Sequence, residues 1–278
     1  MSKKNVSEIG AGKSVLVTGA GGGLGIAVCE LLLERGYKVY GVIRRDPKHV
    51  VEGVNYLRFD VTDMESMQKV FDEKKDEIGS LYGIVHTAGI YKMDSLVEID
   101  EKDMLGIFNI NVFGAYRVNK VFLPLLEKGG RIVLTSSELG AVDPLPFTGL
   151  YGITKTTLER YAFSLRQELN LIGRKVSIVR PGAIETPLLG VSTNSIDGFK
   201  KKTKLYKENA TKFDDLVNAI ESHGVSPRAV GMKCIHGLED KNPKYIYNIN
   251  RTPYLKMLSI LPDHMQVGIL GMMLGKQK

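Results

Sequence analysis

The chain has 278 residues, 43% of them hydrophobic and 25% charged. That length and balance suit a soluble globular protein with a full core, and exclude a disordered, collagenous or disulfide-stapled chain. The net charge of +7 reads either as a Lys-rich solvated surface or as attraction to a polyanion, such as a phosphorylated cofactor, an acidic substrate or anionic lipid.

No basic motif interleaved with aromatics points to nucleic acid. Met1–Lys13 is polar and lacks the apolar run of a signal peptide, and Cys29 and Cys234 form no CxxC. Both features predict a reducing, cytoplasmic setting. Cys29 reads as a small hydrophobe on an apolar helix.

The first predicted strand, Ser14–Gly19, runs into a glycine-rich loop and then a helix over Ile26–Arg35. Glycines let the backbone approach a pyrophosphate, and the helix N-terminus offers it free N–H groups. Thr18, Gly19, Gly21, Gly22, Gly23, Leu24 and Gly25 are the candidate residues. The second strand, Lys38–Ile43, ends in Arg44 and Arg45, with no acid before Asp46. An acid at this point would hold the ribose hydroxyls of NAD, whereas arginine meets a 2′-phosphate. The reading is NADP(H); the alternative is that both arginines merely solvate a loop. After the third strand, Asn55–Asp60, Asp60 and Val61 are candidates to contact the adenine.

Further Val/Ile-rich strands are predicted at Leu81–His86, Arg131–Ser136, Lys175–Arg180 and Lys244–Asn250. Segments long enough for crossover helices separate most of them. This alternation predicts an α/β fold, a doubly wound parallel sheet of about seven strands with helices on both faces. One domain is expected over residues 1–278: a core at 14–185, a polar, Lys-rich excursion at 186–225 and an apolar tail at 253–278. The excursion reads as a substrate lid or as a surface insertion. Pro262, Asp263 and His264 interrupt the tail, so no transmembrane segment is expected. His86, His223, His236 and His264 have no metal-ligand spacing.

Tyr151 and Lys155 stand four apart, as neighbours on one helical face. A free tyrosine has a pKa of roughly 10, and a nearby ammonium lowers it towards a useful acid/base. Tyr116 and Lys120 repeat the spacing, so spacing alone carries no assignment. Only Tyr151 follows a strand ending in serines, Ser136 and Ser137; the Tyr116 pair is expected on a helix surface.

From Ser14 to Pro187 the chain resembles the classical short-chain dehydrogenase/reductases, whose fold is of the Rossmann type. Thr18–Gly25 fits their TGxxxGxG, Asn111–Gly114 their NxxG, Ser137–Gly140 their strand-end serine motif, Tyr151–Lys155 their YxxxK and Pro181-Gly182 their PG. His86-Thr87-Ala88-Gly89 stands where the family has NNAG, and the loop from Gly140 to Tyr151 is one residue longer than usual. The resemblance implies Tyr151 as proton donor and acceptor and Lys155 holding the nicotinamide ribose. Ser137, ahead of Ser136, would bond the substrate oxygen, and Asn111 would hold a relay water. Ala88, Gly89, Pro181, Gly182, Ile184 and Thr186 would complete the cofactor site.

Substrate is the least legible feature. Pro144–Phe147 and Pro187–Leu189 are apolar segments expected to border the cleft. The Met- and Leu-rich tail resembles those of hydroxysteroid and retinol dehydrogenases. The favoured function is therefore NADP(H)-dependent interconversion of an alcohol and a ketone on a bulky lipophilic molecule, a steroid or bile-acid-like one first. The alternatives are a carbonyl or 3-oxoacyl-thioester reductase and, more distantly, a non-catalytic NADP(H)-binding regulator. The tail is expected either to pack on the domain or a partner copy, in a homodimer or homotetramer, or to touch a membrane surface.

Overall fold

A computed structural model describes residues 8–185, 187–221 and 224–276. In chain order the elements are β1 (Ser14–Thr18), α1 (Gly23–Leu33), β2 (Lys38–Ile43), β3 (Val54–Arg58), α2 (Met64–Ile78) and β4 (Leu81–His86). Next come α3 (Glu101–Phe108), a π turn (Asn109–Phe113), α4 (Gly114–Phe122), β5 (Leu126–Thr135), α5 (Gly149–Leu171) and β6 (Lys175–Pro181). The last are α6 (Pro187–Lys202), α7 (Lys207–Glu221), α8 (Pro227–Glu239), β7 (Ile246–Ile249), α9 (Pro253–Leu258) and α10 (Asp263–Leu274).

The strands form one parallel sheet of seven in the order β3-β2-β1-β4-β5-β6-β7. The chain crosses from one side of β1 to the other after β3, which opens a cleft at the carboxyl ends of β1 and β4. Strand side chains alternate between faces, so each strand feeds two cores. Leu16, Val42, Ile84, Ile132 and Ile178 meet Met67, Phe122 and Leu158 of α2, α4 and α5 on one face. Val15, Val17, Val39, Val85, Val133 and Val179 meet Val28, Leu31, Cys234 and Leu238 of α1 and α8 on the other. Both faces are covered, which is why the strands read as continuous apolar runs.

Two sequence expectations change. β5 begins at Leu126, five residues before the predicted start, where Gly129 at φ +81° bends the chain into the strand. The polar, Lys-rich excursion after β6 is built of two helices, α6 and α7, which the sequence reading did not assign. Ile196, Phe213 and Val217 from these helices join Leu145, Leu255, Leu258 and Leu274 in a third apolar cluster. The tail is therefore part of that cluster: α10 packs on α7, and Asn209 Nδ2 donates to Leu274 O at 2.8 Å. Its outer face leaves Met257, Ile260, Val267 and Met272 exposed.

Candidate active site

A cleft of about 900 Å³ runs from the glycine loop, past β2, to the third apolar cluster. Among the described residues it takes in nearly every position the sequence singled out for a cofactor: Gly19, Gly21–Gly25, Arg44, Arg45, Asp60, Val61, Ala88, Gly89, Pro181, Gly182 and Ile184. Thr18 stands behind it, buried, with its hydroxyl accepting from Ala88 N at 3.3 Å. Thr186 lies outside the described residues.

The glycine loop fits a pyrophosphate. Gly19 has φ +70°, and a Cβ there would come within 2.8 Å of the Ala88 backbone. A Cβ on Gly25 would lie 2.1 Å from Gly19 O, so no larger residue closes this turn. α1 starts at Gly23 with no side-chain cap and no acid in its first turn. Its first N–H groups and its positive pole are left to an anion.

At the β2 end, Asp46 is paired with Arg58. Arg44 pairs with Asp60 at 3.6 Å and is over half exposed. Thr62 bonds the other Asp60 oxygen through its N–H and hydroxyl, at 2.9 and 2.8 Å. Burial raises the Asp60 carboxyl, but Thr62 and Arg44 together hold it below the usual value. Asp60 and Arg44 were expected to contact separate parts of the cofactor; here they contact each other. Arg45 also lines the cleft, and so do Lys48 and His49, which sequence reading missed. The signal was present, as a basic run continuing past Pro47.

Tyr151 and Lys155 sit one turn apart on α5 and face this cleft. The Lys155 ammonium lies 5.5 Å from the Tyr151 ring centroid and donates to Thr135 O at 3.0 Å. Burial pushes the Lys155 ammonium down to about 8, against an opposing field from Glu159. Burial also pushes the Tyr151 phenol up to about 12, against the opposing influence of the nearby Ser137 hydroxyl. The sequence expectation of a lowered tyrosine counted on the oxidised nicotinamide as well as the ammonium; in the protein alone, desolvation is the largest influence on the phenol. Tyr91 packs edge-on to Tyr151, with centroids 4.8 Å apart.

The two serines diverge. Ser137 lines the cleft with Tyr151, and its hydroxyl accepts from Leu139 N at 3.2 Å, whereas the Ser136 hydroxyl donates to Glu159 Oε1 at 2.7 Å and is buried. Asn111 stands in the π turn, where its side chain is fully engaged. Its Oδ1 accepts from Ile90 N at 2.8 Å, and its Nδ2 donates to Ile90 O at 2.9 Å and Thr154 Oγ1 at 3.1 Å. The side chain clamps the segment after β4 onto α5. Tyr116 and Lys120 lie on the exposed side of α4, where the Lys120 ammonium donates to the Tyr116 hydroxyl at 3.3 Å. Among the described residues no group of His, Cys, Asp and Glu is arranged to hold a metal.

Beyond Tyr151 the cleft is apolar, walled by Tyr91, Leu139, Leu145, Val217 and Leu255. Of the Pro144–Phe147 segment only Leu145 lines it. Phe147, at φ +66°, turns away and stacks among Phe199, Tyr206 and Phe213 of the excursion.

A family model described as short chain dehydrogenase matches residues 13–197. A 3-ketodihydrosphingosine reductase of Bacteroides thetaiotaomicron is 27% identical over 256 residues, covering 90% of this chain and 94% of that protein. Estradiol 17-beta-dehydrogenase 2 of Mus musculus is 29% identical over 265 residues, covering 87% and 69%. Among solved structures, a short chain dehydrogenase from Burkholderia cenocepacia in complex with NADP shares the fold, with a TM-score of 0.70. It is 22% identical and covers 97% of this chain and 100% of that one.

Proposed function

Because this chain belongs to the short-chain dehydrogenase family, we propose that it interconverts an alcohol and a ketone on a bulky lipophilic molecule with NADP(H). The observation that carries this reading is that Ser137, Tyr151 and Lys155 line one cleft where the glycine-loop end meets an apolar wall. Two neighbouring hydroxyls can hold one carbonyl oxygen, and one of them can protonate it.

The cofactor would lie along the glycine loop and the first turn of α1, with Arg44, Arg45 and Lys48 near its 2′-phosphate. When bound it supplies the hydride. Tyr151 gives its proton to the ketone oxygen, or takes one back from the alcohol. Ser137 orients that oxygen. Lys155 holds the ribose and stabilises a phenolate once it forms. Burial keeps the phenol protonated, which suits the reductive half of the reaction.

Leu139, Leu145, Val217 and Leu255 present only hydrocarbon, which favours a large apolar skeleton over a sugar or small acid. The similarity to an estradiol 17-beta-dehydrogenase and a 3-ketodihydrosphingosine reductase is a reason to try a steroid and a ketosphingoid among the substrates. Phe113, Tyr116 and Phe163, exposed around α4 and α5, offer a face to a second copy and support a homodimer or homotetramer.

The test is NADPH oxidation against a panel of keto-steroids, long-chain ketones, retinoids and simple ketones. Turnover of a bulky ketone, lost by about 10²–10⁴-fold in Tyr151→Phe, is the expected result. Unchanged activity in that variant, or preference for a small polar ketone, overturns the reading.

A further inference from the structure

Glu159 is a carboxylate where sheet, helix and catalytic turn converge, and it is only 7% exposed. It stands four residues after Lys155 on α5, so Tyr151, Lys155 and Glu159 share one helical face. Its Oε1 accepts from Ser136 Oγ and from Arg180 Nε, each at 2.7 Å. Arg180 Nη2 bonds the second oxygen, completing a two-pronged pair between α5 and β6. A Cβ on Gly140 would sit 3.1 Å from Glu159 Oε1 and 3.1 Å from the Lys155 carbonyl carbon, so the turn carrying Ser137 closes directly over this group.

A buried carboxylate costs several kcal/mol unless charge and hydrogen bonds compensate it. Here direct compensation comes from Arg180 and Ser136, and Lys155, one turn earlier on α5, adds a second cation within reach of the Glu159 field. Around Lys155, the charged or titratable groups on its own helix are Tyr151 and Glu159. From β5 it meets the neutral Thr135 carbonyl, and from the segment after β4 it meets Gly89, beside the amide of Asn111. Glu138, on the turn after β5, is turned instead onto Thr252. Glu159 is thus the anion that acts on the Lys155 ammonium.

We propose that Glu159 is a positioning residue for the hydride-transfer site: it supplies the counter-charge for Lys155 and, through Ser136, fixes the turn that presents Ser137. This rests on the reading of Lys155 and Tyr151 given above. Arg180 sets how much of the Glu159 charge Lys155 receives. The two therefore act on Lys155 in opposite directions, which simple loosening of the core would not produce. Burial leaves Lys155 near 8, close enough to working pH for a change in either neighbour to be read out.

The experiment follows the Lys155 titration by NMR in 13C-lysine-labelled full-length protein, its signal assigned by loss in Lys155→Met. The pH profile of kcat with NADPH is measured alongside. Glu159→Gln is expected to lower the Lys155 midpoint by about one pH unit. The alkaline limb of kcat should move with it, and KM for NADPH should change less than kcat. Arg180→Gln is expected to raise the midpoint. A midpoint unmoved in Glu159→Gln overturns the proposal, whatever the activity. If Glu159→Gln does not fold, Arg180→Gln decides, and an unmoved or lowered midpoint there overturns it. If the midpoints move as stated while no ketone is turned over, the proposed function fails and the coupling stands.

Discussion

Glu138 grips Thr252 across 114 residues of chain: one carboxylate oxygen accepts the Thr252 N–H at 2.6 Å, the other its hydroxyl at 2.9 Å. Thr252 caps α9, and Leu255 on that helix walls the cleft. Glu138 directly follows Ser137, so the turn carrying Ser137 and the apolar wall of the cleft are fastened at one point. Removing the carboxylate should loosen the wall and leave the cofactor end intact. Glu138→Ala is expected to raise KM for a bulky ketone about tenfold, equivalent to ~1.4 kcal/mol for bonds to a charged group. NADPH affinity, measured by fluorescence titration, should stay within about twofold of wild type, below ~0.4 kcal/mol. An equal loss in both would show that α9 is no separate wall.

The division of labour between the serines predicts two distinct phenotypes. On the proposed function, Ser137→Ala removes a donor to the reacting oxygen and should cut kcat about 10²–10³-fold with little change in stability. Ser136→Ala removes one bond to Glu159 and should cost about 1 kcal/mol of stability, read by urea unfolding, with a much smaller loss of kcat. The reverse ranking would assign the substrate oxygen to Ser136.

The two arginines proposed to meet the 2′-phosphate are not equally free. Arg44 must share itself with Asp60, whereas no ion pair ties down Arg45 among the described residues. Arg45→Ala should therefore weaken NADPH binding more than Arg44→Ala, by about tenfold for one charge-assisted contact. NADH, lacking the 2′-phosphate, should be unaffected by either. Calorimetric titration with both cofactors checks this; equal losses for NADPH and NADH would remove the arginines from the phosphate site.

What the sequence made legible was local. The glycine loop can be read because its requirements concern adjacent residues: a positive φ at Gly19 and no room for a Cβ at Gly25. Tyr151 and Lys155 can be read because one helical turn joins them. The choice between Ser136 and Ser137 stayed open because it depends on Glu159, 23 residues away and unmarked by any motif. Glu138 and Thr252 are farther apart still, and nothing in either segment announces the other. The helices of the excursion were hidden by their lysines. Lys200 pairs with Asp214, and Lys202 with Asp94, so lysines that made the stretch read as a polar excursion are cross-braces.

The place where the chain departs from its family's NNAG motif makes a prediction of its own. His86 is buried, and its Nε2 lies 2.8 Å from Asn119 Oδ1; the Asn119 amide in turn donates to Tyr161 at 3.0 Å. A neutral imidazole N–H satisfies Asn119 as donor. Burial lowers the His86 pKa from 6.5 to about 4, opposed by the Asn119 bond. Between those values the unfolded chain binds more protons than the folded one, so stability falls as pH falls. The contribution is intact above 6.5 and is lost progressively down to about 4, amounting to about 3 kcal/mol. His86→Gln keeps an N–H donor and cannot titrate. Urea unfolding in steps from about pH 7 to pH 4 should show wild type losing more stability than this variant. Parallel curves for the two proteins would mean that His86 is protonated in the folded state and that its cavity admits a charge.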